Sequence, residues 1–386
     1  MHKIQSSSNL QMAALIAFAA ITASILLTTP VIATQLALER GLDAKQIGLL
    51  FTIEHSGMSL AAIPAFWWLK RIDWRHAATV AAAVFIIANI ASAIVQDYPA
   101  LQAARAVSSF AAGSLMILSL SCAARHPNAS RAYGAWVLGQ LALGAVGLAV
   151  LPRLYNQFGL SAGYLALAVL MIVAMPLARA MPQIDIRKAT YTIPTEAFPL
   201  RKALLGVVAL LGFYVALSAV WTFVGAISNG AGLSPRSNGD ILAMATLFGI
   251  GGATTATFIG ERWRREVLLC SGFGMMIVSM GLLLNQPQLF RYAFAIILFK
   301  FTWTFTLPFI LANLAELDQS GRLMGVSNLV IGTGLGLGPS LAGYLISHDP
   351  TFNYLLVSSA CIAALSLVFL LSGRPKACTP SLTQSL

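Results

Sequence analysis

Three ionisable side chains sit inside long apolar stretches of this chain: Glu54, Arg105 and Lys300. A charge at the centre of a membrane helix costs about 2.5–3.5 kcal/mol on the more conservative scales, so such residues mark pathways, proton relays or buried pairs. A carboxyl group among apolar neighbours suits taking up and releasing a proton. Glu54 is therefore a candidate proton-coupling site, or else a structural carboxylate paired with Arg105. Arg105 is a permanent cation. It can bind an anionic solute, stay paired, or snorkel to the interface. His55 adjoins Glu54, but neighbouring helix positions point about 100° apart, and it reads as a structural histidine. Lys300 lies near the middle of its stretch, too deep to snorkel. With Trp303, Thr304 and Leu307 it forms one helical face that joins a cation to an aromatic wall. That face suits an anionic ligand, and a Lys–Glu bridge is the alternative. Tyr214, Ser218, Trp221 and Thr222 share a second polar-aromatic face.

The elements that must position these groups are membrane helices. The chain has 386 residues, 58% of them hydrophobic and only 10% charged, against roughly 25% charged in soluble domains. Segments long enough to cross the bilayer fall at 12–35, 46–69, 77–96, 100–123, 135–157, 161–181, 203–229, 241–260, 267–285, 289–314, 323–347 and 352–372. The first, at roughly 23 apolar residues, exceeds a signal-peptide core and is expected to be retained. The polar, proline-bearing stretch 182–202 reads as a linker between a six-helix bundle at 1–181 and another at 203–386.

The net charge of +11 is scattered through short loops, which argues against a nucleic-acid face. Of the 24 basic residues, Arg40, Lys45, Arg153, Arg236 and Arg291 fall on one side, Arg105 and Lys300 lie within spans, and seventeen fall on the other. The positive-inside rule then places both termini and the linker in the cytoplasm. Cys122, Cys270, Cys361 and Cys378 are too far apart for a metal or disulfide motif, so no metal and no cofactor are expected.

Two loops repeat at half the chain length. Asp73-Trp74-Arg75-His76 is echoed by Arg262-Trp263-Arg264-Arg265, and Asn128-Ala129-Ser130-Arg131 by Gln319-Ser320-Gly321-Arg322. Such duplication is a mark of secondary transporters. Twelve spans in two halves, with basic loops after spans two and eight, resemble the major facilitator superfamily along essentially the whole chain. In the loop after span two, Arg71 stands at the family aspartate and Trp74 at a glycine; the copy Gly260-Glu261-Arg262-Trp263-Arg264-Arg265 is one residue shorter. Arg75 and Arg264 are accordingly either gating residues or topology signals. Arg105, followed by Ser109 and Ala111-Ala112-Gly113, looks like the family's span-four arginine motif, with Ser109 in place of its glycine. The family's span-five Gly-Pro pair is missing, and Gly338-Pro339 occurs in span eleven instead. The glycines of spans eight and eleven would, in the resembled fold, flank the interface between halves.

The resemblance implies an all-α integral membrane protein of two pseudo-symmetric halves, with spans one, four, seven and ten lining a central cavity. Taken with the residue readings above, Arg105, Lys300, Trp303, Tyr214 and Trp221 are the expected substrate-binding residues, and Glu54, an acid inside an apolar span, is the expected proton-coupling residue. The expected function is alternating-access transport of a small organic solute, an organic or aromatic anion, coupled to protons, by a monomer in the inner membrane. A transporter-like sensor that binds without translocating, and a drug or metabolite exporter, remain alternatives. An enzyme is not expected: no HExxH occurs, and His348 is the only histidine after Gly338-Pro339-Ser340. Nor is there a nucleotide-binding loop for an ATP-driven permease.

Overall fold

In the computed structural model, residues 2–126, 128–182, 200–260, 262–317 and 322–373 are described. They form thirteen α-helices: α1 (His2–Arg40), α2 (Ala44–Leu60), α3 (Ala62–Trp68), α4 (Trp74–Ile94), α5 (Tyr98–Arg125), α6 (Ala129–Phe158), α7 (Ser161–Ala174), α8 (Leu200–Gly230), α9 (Pro235–Ile259), α10 (Arg265–Leu282), α11 (Leu289–Leu317), α12 (Arg322–His348) and α13 (Asn353–Ser372). There is no strand among the described residues. Twelve spans result, because α2 with α3 makes the second, and α7 with the 3-10 turn Met175–Ala180 makes the sixth. Of the proposed linker, residues 183–199 lie outside the described residues.

The helix starts follow from local chemistry. Asp43 accepts the Gln46 N–H while the Gln46 side chain answers its backbone, a full capping box. Asp73, Asp97, Asn128 and Ser234 cap α4, α5, α6 and α9, each side chain accepting one backbone N–H of the first turn. The apolar reading of span two did not show its break. Pro64 withholds the N–H that would bond the Leu60 carbonyl, and the helix divides at Ala61.

The halves meet along α2–α12, α6–α9 and α1–α8. Spans two and eleven pair as spans five and eight do, the relation expected when one six-span unit is duplicated. Glycines permit the close approach. Gly332 faces Ser59 and Gly336 faces Ser56 on α2 across the halves, while Gly334 and Gly338 face Tyr214 and Ser218 on α8 within the second half. Gly249 and Gly252 instead seat α9 on α11 within one half.

The two ends of the molecule differ. Towards the end bearing Gly41, Val31, Leu36, Leu50 and Phe51 of the first half share one apolar core with Trp221, Val224 and Ile227 of the second. Towards the end bearing Arg75, the core of the first half is a separate cluster that includes Leu15, Phe18, Trp74, Phe85, Leu115 and Met171. The molecule is joined across its halves at the Gly41 end.

Candidate functional site

Lys300 lies on α11 one turn before Trp303, so the Trp303 indole falls beside its stem. Across the interface with α8, Trp221 comes from the opposite side. The Lys300 Nζ stands 3.7 Å from the Trp221 ring centroid and 4.2 Å from that of Trp303. The two indoles meet edge to face, with centroids 6.0 Å apart at 75°. The cage is nearly closed, with Lys300 3% exposed, Trp221 1% and Trp303 9%. The Tyr214 hydroxyl lies beside Trp303.

Among the described residues, no carboxylate joins the ammonium. The described ion pairs are Arg105–Glu54, Arg153–Asp240, Arg264–Glu266 and Arg265–Glu316. A desolvated cation–π contact contributes about 2 kcal/mol. Two indole faces therefore offset most of the burial cost without cancelling the charge. The cage can hold a cation ready for an anion that arrives from outside.

The remaining polar residues of these faces are packing groups. Ser218 donates to the Gly334 carbonyl at 3.0 Å and Thr222 to the Ser218 carbonyl at 2.8 Å. Thr304 turns towards α9 and donates to the Gly249 carbonyl at 2.5 Å.

Glu54 and Arg105 form a second group. Arg105 donates from Nε to Glu54 Oε1 at 2.9 Å, and its Nη2 donates to the same oxygen. Its Nη1 donates to Asn89 Oδ1 at 2.9 Å and lies 3.5 Å from Ser92 Oγ. The guanidinium also lies 4.8 Å from the Tyr164 ring centroid. Arg105 is fully buried and Glu54 4% exposed. In this structure the Arg105 donors serve α2 and α4 inside the first bundle. Sequence reasoning allowed this pairing as the alternative.

His55 points into the interface between halves. Its Nδ1 lies 3.1 Å from the Leu335 carbonyl oxygen and its Nε2 3.5 Å from Thr29 Oγ1. A carbonyl only accepts, so Nδ1 carries the proton. Trp221 has a cross-half partner too: its Nε1 donates to the Leu26 carbonyl at 3.1 Å.

The two proposed gating arginines make local bonds. Arg75 donates from Nε to the Met181 carbonyl at 2.9 Å, which ties the loop after span two to the end of span six. Arg264, largely exposed, pairs with Glu266 at 3.0 Å. An ion pair across the halves occurs instead at the Gly41 end, where Arg153 grips Asp240 with two bonds of 2.9 and 3.0 Å. Nothing in the sequence links those positions, 87 residues apart, and sequence analysis treated Arg153 only as a loop charge.

A model of the Major Facilitator Superfamily matches residues 13–317. The chain belongs to that family. It is similar to the inner membrane transport protein YdhP of Escherichia coli strain K12, at 23% identity over 358 residues, covering 87% of this chain and 89% of that protein. Its fold matches an inward-open structure of the xylose transporter XylE from E. coli, with a TM-score of 0.75 and 14% identity over 98% of each chain. It also matches a D-xylose–proton symporter, with a TM-score of 0.74 and 15% identity over 96% of this chain and 98% of that one. The protein is thus a multi-pass membrane transporter, and membership of a transporter family, not an enzyme family, agrees with the sequence reading.

Proposed function

We propose that this major facilitator moves a small organic anion across the inner membrane by alternating access, as a monomer coupled to protons. The carrying observation is the Lys300 ammonium held between two indoles with no carboxylate partner among the described residues. Lys300 supplies the charge, Trp303 and Trp221 supply flat apolar walls, and Tyr214 supplies a hydroxyl at the edge. An aromatic carboxylate suits that combination, since its ring can stack where its anion is neutralised.

Glu54, with Arg105, is assigned to the proton. The similar proteins support two parts of the reading: YdhP is an inner membrane transport protein, and one structural neighbour is a D-xylose–proton symporter. The division at 182–202 separates the two moving bundles, with both termini cytoplasmic on the loop-charge argument. That orientation makes the Gly41 end external, so the joined core describes an inward-facing state. Arg75 and Arg264 then lie at the inner mouth, where they would act as gate residues in the opposite state.

The test is a thermal-shift screen of small carboxylates and their neutral amides on purified protein. We expect stabilisation by one or more carboxylates that is lost in Lys300→Met and retained in part in Lys300→Arg. Equal stabilisation of Lys300→Met by the same carboxylate would remove the assignment.

A further inference from the structure

Three prolines interrupt helices on the surface between the halves: Pro30 in α1, Pro152 in α6 and Pro339 in α12. A proline inside a helix has no N–H for the carbonyl four residues earlier. The carbonyls set free are those of Leu26, Leu148 and Leu335, and each one meets the opposite half. The Leu26 carbonyl accepts from Trp221 Nε1 at 3.1 Å. The Leu335 carbonyl faces His55 Nδ1 at 3.1 Å. The Leu148 carbonyl packs on Gly239, where an added Cβ would run into its oxygen.

The arrangement follows the internal duplication. Pro152 with Gly239 joins spans five and eight, and Pro339 with His55 joins spans eleven and two. In one copy the carbonyl finds a ring N–H, and in the other a glycine lets it approach the backbone. The bonds are also reciprocal, because the acceptor belongs to the first half at Leu26 and to the second at Leu335.

We propose that the Leu26 and Leu335 carbonyls are latches that hold the Gly41 end shut, with Trp221 and His55 as their donors. The reasoning is a matter of satisfaction. A buried carbonyl without a partner is costly, and here its own helix cannot supply one. The shut state satisfies it with a donor from the other half. The parted state satisfies it with water.

Trp221 then has a double duty. Its N–H closes the latch while its ring face carries Lys300, so parting the halves frees the indole that forms one wall of the cage from its anchor at Leu26. This last link rests on the solute site proposed above; the latches themselves do not.

Two double-mutant cycles test the latches in purified protein without solute, so a failed solute assignment leaves the result readable. Spin labels on Gln157→Cys and Gln288→Cys, exposed positions of opposite halves at the Gly41 end, report the open-to-shut ratio by electron–electron distance measurement; the four native cysteines are replaced. Trp221→Phe removes the donor and keeps an aromatic face. Pro30→Ala restores an N–H to the Leu26 carbonyl within its own helix. We expect Trp221→Phe to raise the open-to-shut ratio roughly tenfold with Pro30 present, the effect of one unsatisfied buried carbonyl, and less than about twofold in the Pro30→Ala background. An equal shift in both backgrounds, or none in either, overturns the proposal.

The second cycle pairs His55→Leu with Pro339→Ala and is read in the same way, so the test survives if one variant fails to fold. His55→Asn, which keeps a donor near Nδ1, should restore the shut state. A ratio for His55→Asn no lower than that of His55→Leu counts against the donor role.

Discussion

Glu54 and Arg105 show how far one pair can be taken. Breaking a buried ion pair by removing one partner costs about 3–5 kcal/mol, because the other charge is left uncompensated. Glu54→Gln should therefore lower the melting temperature of the purified protein clearly. Glu54→Gln with Arg105→Gln should recover part of that loss, since no bare charge then remains. Coupling is a separate property. If Glu54 carries the proton, uptake in proteoliposomes should lose its pH dependence in both variants. Wild-type pH dependence in the double variant would leave Glu54 a purely structural role. Lys300 differs from this pair because its stabilisation comes from ring faces, and a ring face leaves the positive charge available to a ligand.

At the level of helices, the close approach of α2 to α12 is set by glycines, of which Gly48 and Gly343 face backbone of the partner helix. A Cβ on Gly48 would meet the Pro339 carbonyl of the opposite half, whereas one on Gly251 would meet nothing within 4 Å. Gly48→Ala should destabilise the protein by about 1–3 kcal/mol through overpacking. Gly251→Ala should be neutral or stabilising by up to about 1 kcal/mol, through helix propensity alone. Thermal unfolding of the two variants in detergent makes the comparison, and equal effects would show that the contact is slack.

The twelve spans were legible in advance because hydropathy and turn residues act locally. Half of the cage was legible for the same reason: Lys300 and Trp303 are three positions apart on one helix. That Trp221 closes it, and that Arg105 turns to Glu54, depended on how separate helices rotate against one another, which a single sequence leaves open. The latch acceptors were hidden more deeply. They are main-chain carbonyls, visible only through the prolines that free them, and Pro30 and Pro339 acquire meaning once their partners across the interface are known.

For the whole molecule, transport requires two states that differ by only a few kcal/mol, since a strongly preferred state would stop the cycle. The Gly41 end is shut by several modest contacts instead of one strong one: the latched carbonyls, the Thr52–Ser340 hydroxyl pair at 2.6 Å, and the Arg153–Asp240 bridge. Under the alternating access proposed above, the opposite end must supply contacts of similar sum when it closes, the role proposed for the basic loops around Arg75 and Arg264. This balance makes the exposed bridge informative. It lies at the rim, where salt shortens the Debye length from about 8 Å at 0.15 M to about 3 Å at 1 M. Arg153→Asp alone should raise the open-to-shut ratio at the Gly41 end, because two carboxylates then face one another. Arg153→Asp with Asp240→Arg should return it towards wild type, and 1 M salt should shrink the difference between these variants. The same spin-label pair reads all three effects. If the exchanged pair fails to recover the shut state, the bridge follows closure and does not support it, and the bias of the cycle lies with the buried latches alone.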